Sequence, residues 1–289
     1  MTAVRRLIVS GDDFGAAAEA NAGILRAHRD GILTSTSLMV TAEAASAAVA
    51  GAREHQRLAV GLHLVLAQGR PVSPPEAVPM LVGSHHGFGE RPIANGLRYA
   101  WAWCSTVGRR QLVREVEAQL EAFAGTGLPL AHVDGHCNMH LHPVVLPILL
   151  GCAPRFGIRA IRLVREDLGA ALRHDRRHAA RKTFEQVVFR TLSRLAEPRL
   201  RAAGIRTADR VYGMHQSGHV DEAYLLGLLP RLRPGLSELY CHPAERQPPA
   251  MARWQSGYDH EGELAALTSP RVRAALAREG IELVSYREA

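Results

Sequence analysis

The chain reads as an α/β protein built on a parallel sheet, either doubly wound or closed into a barrel. Three observations predict this. Short β-type runs alternate with helical patterns from end to end. Neither an internal repeat nor a linker-like stretch divides the 289 residues, a length that one α/β domain routinely fills. Asp or His residues also stand where four separate runs end, the place at which α/β barrels carry their functional groups.

Residues 7–10 form the expected first strand, with a turn at 11–15 and an alanine-rich helix at 17–29. A strand at 35–40, a helix at 42–54 and a strand at 58–66 follow. Pro71, Pro74, Pro75, Pro79 and several glycines then mark 67–95 as a long loop over one face, a candidate lid. Helices at 111–123 and 143–156 flank a strand at 132–136. After a strand at 160–164 comes a basic helical stretch at 168–203, and 210–213, 238–242 and 281–286 are the late strands.

Hydrophobic residues make up 47% of the chain and aromatic ones only 5%, so aliphatic side chains must fill the core. The net charge of +7 comes almost wholly from arginine, Lys182 being the sole lysine. Such a charge favours anionic partners or membrane surfaces. No nucleic-acid-binding motif accompanies it, and nucleic acid is not expected as a partner. Cys104, Cys137, Cys152 and Cys241 form no CxxC pair, which argues against a disulfide framework or a zinc ribbon. The apolar run after Met1, from Leu7 to Val9, is too short for a secretory leader. No run approaches the roughly 18 residues of a membrane span. A cytoplasmic location is the expectation, with an oligomer left open.

A carboxylate and two imidazoles make a three-ligand site for a divalent ion, and Asp13, His63 and His136 are the candidates. Asp12, beside Asp13, is placed to act as general base. The segment His132-Val-Asp-Gly-His-Cys-Asn-Met-His-Leu-His142 holds four histidines in eleven residues, though spacing alone leaves open which of them coordinate. His242, between a strand and Pro243, is a candidate acid, since an imidazole titrates near neutrality. Asp134, His140 and Arg162 are expected to contact substrate. Two histidines with one carboxylate suit Zn²⁺ better than Mg²⁺, which prefers oxygen ligands.

At these residues the chain resembles the YdjC-like (ChbG-type) carbohydrate deacetylases. The matching pieces are Ser10-Gly-Asp-Asp-Phe-Gly15, Gly31-Ile-Leu-Thr-Ser-Thr-Ser-Leu-Met39, Gly61-Leu-His-Leu64, His132-Val-Asp-Gly-His136 and Cys241-His-Pro-Ala244. They keep family order and span nearly the whole chain. The wording around them is most similar to the hopanoid-biosynthesis branch, HpnK. The resemblance implies a seven-stranded (β/α) barrel over 1–289 as a single domain, with a basic helical insertion at about 166–205. It implies Asp13, His63 and His136 as ligands of one divalent ion, zinc or magnesium, with Asp12 as base and His242 as acid. The chain departs from the family where Gly135 precedes His136 and Cys137-Asn138 follow it.

The implied reaction removes acetyl from an N-acetylglucosaminyl hopanoid, an amphiphilic glycolipid that a peripheral enzyme meets at the inner membrane. N-acetylated chitooligosaccharides are the alternative substrate. A metal-dependent phosphoesterase and a non-catalytic sugar- or lipid-binding protein are the rival functions. Phe184, Val187, Val188, Thr191, Leu192 and Leu195 recur at helical spacing among Arg181, Arg190 and Arg194. This stripe is expected to pack inward as on a barrel helix, with a membrane-facing surface as the alternative.

Overall fold

A computed structural model describes residues 4–289 of the chain. Residues 1–3, at which the reading of the leader begins, lie outside it. Seven strands, β1 (Arg5–Phe14), β2 (Ser35–Leu38), β3 (Ala59–Leu64), β4 (Val133–Gly135), β5 (Arg210–Tyr212), β6 (Gly235–Cys241) and β7 (Ile281–Leu283), form one parallel sheet. Its order is β4-β3-β2-β1-β6-β5. β7 pairs with the first residues of β1, Arg5–Leu7, while β2 takes up the later ones.

The sheet curls into a half-barrel. Its open side, between β4 and β5, is spanned by the extended segment 160–165. That segment makes single bridges, Val133 to Ile161 and Ala160 to Arg206, and Arg165 O accepts from Val211 N at 3.2 Å. The strand expected at 160–164 is therefore a bridging segment without a ladder. The other expected strands are present with shifted ends.

Helices α1 (Ala18–Asp30), α2 (Ala45–Glu54), α3 (Pro92–Trp103), α4 (Thr106–Gly125) and α5 (Val145–Phe156) belong to the first half of the chain. α6 (Leu168–His174), α7 (Ala179–Ala202), α8 (Glu222–Leu228), α9 (His260–Thr268) and α10 (Pro270–Arg278) follow. Several begin at a side-chain cap, which gives an orphan N–H its partner: Ser105 for α4, Asp167 for α6, Asp221 for α8, Asp259 for α9 and Ser269 for α10. Leu7, Ile8, Val9, Leu62 and Leu64 of β1 and β3 are buried, as strands covered on both faces must be. Among the described residues no helix is long and apolar enough to cross a membrane.

Three expectations change. β1 runs on to Phe14, so Gly11-Asp12-Asp13 lies inside the strand and not in a turn after it. Its register on β2 slips there, from Gly11 opposite Thr36 to Phe14 opposite Leu38, three steps against two. Asp13 sits in this bulge with φ 63°.

The loop at 67–95 is fastened from below. Gln111, Glu115 and Gln119, four residues apart on α4, share one helix face and are buried. Gln119 Oε1 accepts from Val65 N at 2.9 Å, and Glu115 accepts from Val72 N and Ser73 N, each at 2.9 Å. Gln111 accepts from Met80 N at 2.8 Å. With Val78, Leu81 and Phe88 also buried, this segment is a structural wall and not a flap. Its end is helix: α3 starts at Pro92, whose missing N–H costs nothing in a first turn.

The stripe on α7 is the third change. Phe184, Val187 and Leu195 are 62%, 60% and 61% exposed, while Lys182, Ser193, Ala196 and Leu200 are buried. The helix rests on its small and mixed face and turns large apolar groups outward.

Gly61, in β3, faces the His132 ring. A Cβ there would lie 2.4 Å from His132 Nδ1 and 2.6 Å from His132 O. Gly61→Ala should therefore destabilise the fold by about 1–3 kcal/mol, the usual cost of overpacking. Denaturant unfolding measures it; an unchanged midpoint would mean that the strands part there freely.

Candidate metal centre

The rim at the C-terminal ends of the strands gathers Asp12 and Asp13 from β1, His63 from β3, His136 just past β4 and His242 just past β6. Asp13 is fully buried, and its Oδ1 lies 3.2 Å from His63 Nε2 and 3.0 Å from His136 Nδ1. Asp13 Oδ2 accepts from Gln255 Nε2 at 2.6 Å. One oxygen is thus tied back while the other faces the two rings. Burial alone would raise the Asp13 pKa, but the two imidazoles hold it well below the usual carboxylate range.

Each imidazole is fixed from its far side. His63 Nδ1 donates to Asp134 Oδ1 at 2.8 Å and lies 3.0 Å from Ser37 Oγ. His136 Nε2 donates to Gln68 Oε1 at 2.9 Å, and Trp254 meets its ring edge-on at 4.7 Å. With those nitrogens committed outward, His63 Nε2 and His136 Nδ1 face inward to Asp13, the atoms that would bind an ion once their protons leave. Burial opposes charging His63, yet Asp134, Asp13 and Asp12 raise its pKa to about 10. His136 is likewise held well above its ordinary value, against burial, by Cys137 and Asp13.

These donors fit a divalent ion. Nitrogen and oxygen donors about 2.0–2.1 Å from a tetrahedral zinc stand roughly 3.3 Å apart. The separations of 3.0 and 3.2 Å between Asp13 and its two imidazoles are close to that edge, in a buried cluster of one carboxylate and two nitrogens. A second trio, Asp12, His63 and Asp134, also has its donor atoms close together. There a guanidinium already supplies the positive charge.

That guanidinium belongs to Arg162, which is fully buried. Its Nη1 and Nη2 donate to the two oxygens of Asp12 at 2.6 and 2.8 Å. Nη1 also lies 2.8 Å from Asp134 Oδ2, and Nε donates to Glu238 Oε1 at 2.8 Å. The Tyr240 ring lies 4.4 Å below its charge. Burial raises the Glu238 pKa despite Arg162, and the Tyr286 hydroxyl donates to its other oxygen.

A cavity of about 140 Å³ opens over the cluster, lined by Asp12, His63, His136 and His242 with Tyr240, Trp254 and Tyr258. Arg162, Asp134 and His140, expected to touch substrate, are all fully buried and do not line it. Every side-chain nitrogen of Arg162 is turned to a carboxylate, Asp134 stands behind His63, and His140 Nε2 donates to Arg162 O at 2.9 Å. They position the site from beneath. His242 does line the cavity, but burial lowers its pKa to about 4, so its imidazole is neutral at rest. Its backbone N–H donates to Glu263, itself pushed up to about 7 by burial.

Gln68, Trp254, Gln255, Tyr258 and Glu263 escaped the sequence reading. Gln68 and Gln255 lie in irregular segments where no periodicity marks them. Trp254, three residues from Gly257, had only its aromaticity to offer.

Two outcomes follow from this geometry. Arg162→Gln strands three buried carboxylates and should cost about 3–5 kcal/mol of stability, read as a lowered unfolding midpoint. A divalent ion at Asp13, His63 and His136 must displace the proton from His63 Nε2 at any pH below about 10. Affinity should therefore rise with pH, and calorimetry in buffers of different ionisation enthalpy should detect proton release; affinity flat between pH 6 and 9 would contradict the arrangement.

The chain matches the YdjC-like protein family over residues 6–278. It is 32% identical to a carbohydrate deacetylase of Geobacillus stearothermophilus, across 98% of each chain. To a chitooligosaccharide deacetylase of Serratia marcescens it is 29% identical, again across 98% of each. The solved structure of an Enterococcus faecalis protein named for cellobiose-phosphate cleavage superposes with a TM-score of 0.75 at 26% identity, covering 98% of both chains. Through its sequence from end to end, and with this buried cluster at its centre, the chain belongs to the YdjC-like protein family.

Proposed function

We propose that this chain is a metal-dependent carbohydrate deacetylase that hydrolyses the acetamide of an N-acetylglucosamine-bearing substrate to a free amine and acetate. One observation carries the reading: Asp13 Oδ1 stands 3.2 and 3.0 Å from two imidazoles that line a cavity together with Asp12. The deacetylases among its full-length relatives support it.

Asp13, His63 and His136 would hold the ion, with zinc favoured over magnesium for their nitrogen-rich set. When bound, the ion supplies Lewis acidity, making water easier to deprotonate and a carbonyl easier to attack. Asp12 lines the cavity with both oxygens anchored by Arg162. It takes a proton from the attacking water as the new C–O bond forms. The C–N bond then breaks, and one proton must reach the departing nitrogen. His242 is the group assigned to deliver it. Being neutral at rest, it acquires that proton during turnover, and the single proton given up by water closes the balance. Tyr240, Trp254 and Tyr258 wall the cavity and limit bulk water.

A glycosidase flanks its bond with two working carboxylates; Asp13 is engaged here by two imidazoles and Gln255, leaving Asp12 alone. A phosphoesterase of the two-metal kind needs a second ion site, and the neighbouring trio is filled by Arg162.

Within this class the substrate we favour is an N-acetylglucosaminyl hopanoid met at a membrane surface, with N-acetylated chitooligosaccharides as the second candidate. The motif wording supports the hopanoid, as does apolar surface next to the cavity. The 166–205 segment is read as a helical insertion into a single domain.

Acetate release from both substrates, with and without chelator, tests the reading. Asp12→Asn should lower kcat by about 10²–10⁴-fold, the usual worth of a general base, while metal content stays at the wild-type level. His63→Ala and His136→Ala should lose metal and turnover together. Full activity in Asp12→Asn, or in chelated enzyme, would reject the mechanism.

A further inference from the structure

Large apolar side chains are not scattered over this surface. Nine are exposed among the described residues, and six of them, Ile93, Leu97, Trp101, Phe184, Val187 and Leu195, belong to α3 and α7. Ile93, Leu97 and Trp101 stand four residues apart, one stripe along α3. A patch of this kind on a water-soluble surface marks a binding site.

Both helices lean on the turn at residues 136–141. Between them runs a groove of about 290 Å³, walled by Ile93 and Leu97 from α3 and by Val188, Phe189 and Leu192 from α7, with Met139 as floor. Cys137 and Asn138 line this groove and the catalytic cavity alike. Both have left-handed φ values, 53° and 55°, so the chain turns sharply and leaves a low partition of two short side chains. Walled mostly by aliphatic side chains, the groove offers few partners to the hydroxyls of a sugar. Exposed Arg190 and Arg194 stand on another face of α7, over a separate cavity with Arg165 and Glu197.

We propose that the α3–α7 groove is the subsite for the apolar body of an amphiphilic glycolipid, whose N-acetylated sugar reaches the catalytic cavity across Cys137 and Asn138. The proposal rests on the deacetylase reading for the sugar end. Continuity with the cavity is what favours a substrate tail over a second copy of this chain.

The test compares acetate release from N-acetylglucosaminyl hopanoid and from a soluble N-acetylated chitooligosaccharide, using the full chain and the variants Leu97→Asp and Val188→Asp. Leu97 is 70% exposed, so its replacement leaves the fold intact. The ratio of kcat/KM, lipid over soluble, should fall by about tenfold or more in each variant, as for a misfit in an apolar pocket. A ratio that stays constant overturns the proposal. Binding is read separately, without turnover, in Asp12→Asn: an alkyl N-acetylglucosaminide with a brominated chain should quench Trp101 fluorescence, with Trp101→Phe as the control. Quenching that Leu97→Asp abolishes, in a protein releasing acetate from neither substrate, keeps the groove and rejects the deacetylase reading. Acetate release without quenching does the reverse. A dimer split by Leu97→Asp with an unchanged substrate ratio gives the face to a second copy and overturns the groove.

Discussion

The buried guanidinium of Arg162 is the constraint on which the site depends. It is the hub of three carboxylates, Asp12, Asp134 and Glu238, all withdrawn from water. Charges so deeply buried are tolerated only when paired and hydrogen-bonded, and here the pairing also sets geometry. Asp12 is gripped through both oxygens, so its direction into the cavity is fixed. Asp134 is drawn in beside it, and its other oxygen orients His63. One cation thereby fixes Asp12 directly, and His63 through Asp134 as intermediary.

A second set of fastenings works from the loops. Gln255 and Gln68 tie Asp13 and His136, while α4 uses three amide and carboxylate side chains to clamp the segment that carries Gln68. Arrangements of this sort hold the reactive geometry ready before substrate arrives, which is where preorganised sites gain over solvent. They also explain why so many polar groups, among them Gln119, Glu115 and Glu238, sit at full burial in a domain of modest size.

Much of this was legible in the residues. Strand–helix alternation gave the parallel sheet, and Asp13, His63 and His136 do converge, because each ends or nearly ends a buried strand on the same rim. Asp12 and His242 also line the cavity. What stayed hidden follows from geometry that spacing does not encode. Arg162 looked like a substrate contact because nothing in Ala-Ile-Arg-Leu-Val tells whether its side chain meets water or three carboxylates. The segment 160–164 has β composition but too few neighbours to form a ladder. The first turn of α3 fell inside the stretch read as loop from its prolines and glycines, and the stripe on α7 was legible as a stripe but not in its direction. The contact face is instead the one that carries Lys182, Ser193, Ala196 and Leu200.

The bulge in β1 has a consequence for how this protein can vary. In a regular strand Asp12 and Asp13 would project to opposite faces of the sheet, and one of them would be lost to the chemistry. The slipped register and the left-handed backbone at Asp13 bring both to one rim, at a conformational cost that such residues carry on the order of 1–3 kcal/mol. Relief is available there only by giving up the carboxylate, since glycine is what that backbone would accept without strain. Selection for a sturdier fold and selection for turnover therefore pull this one position in opposite directions.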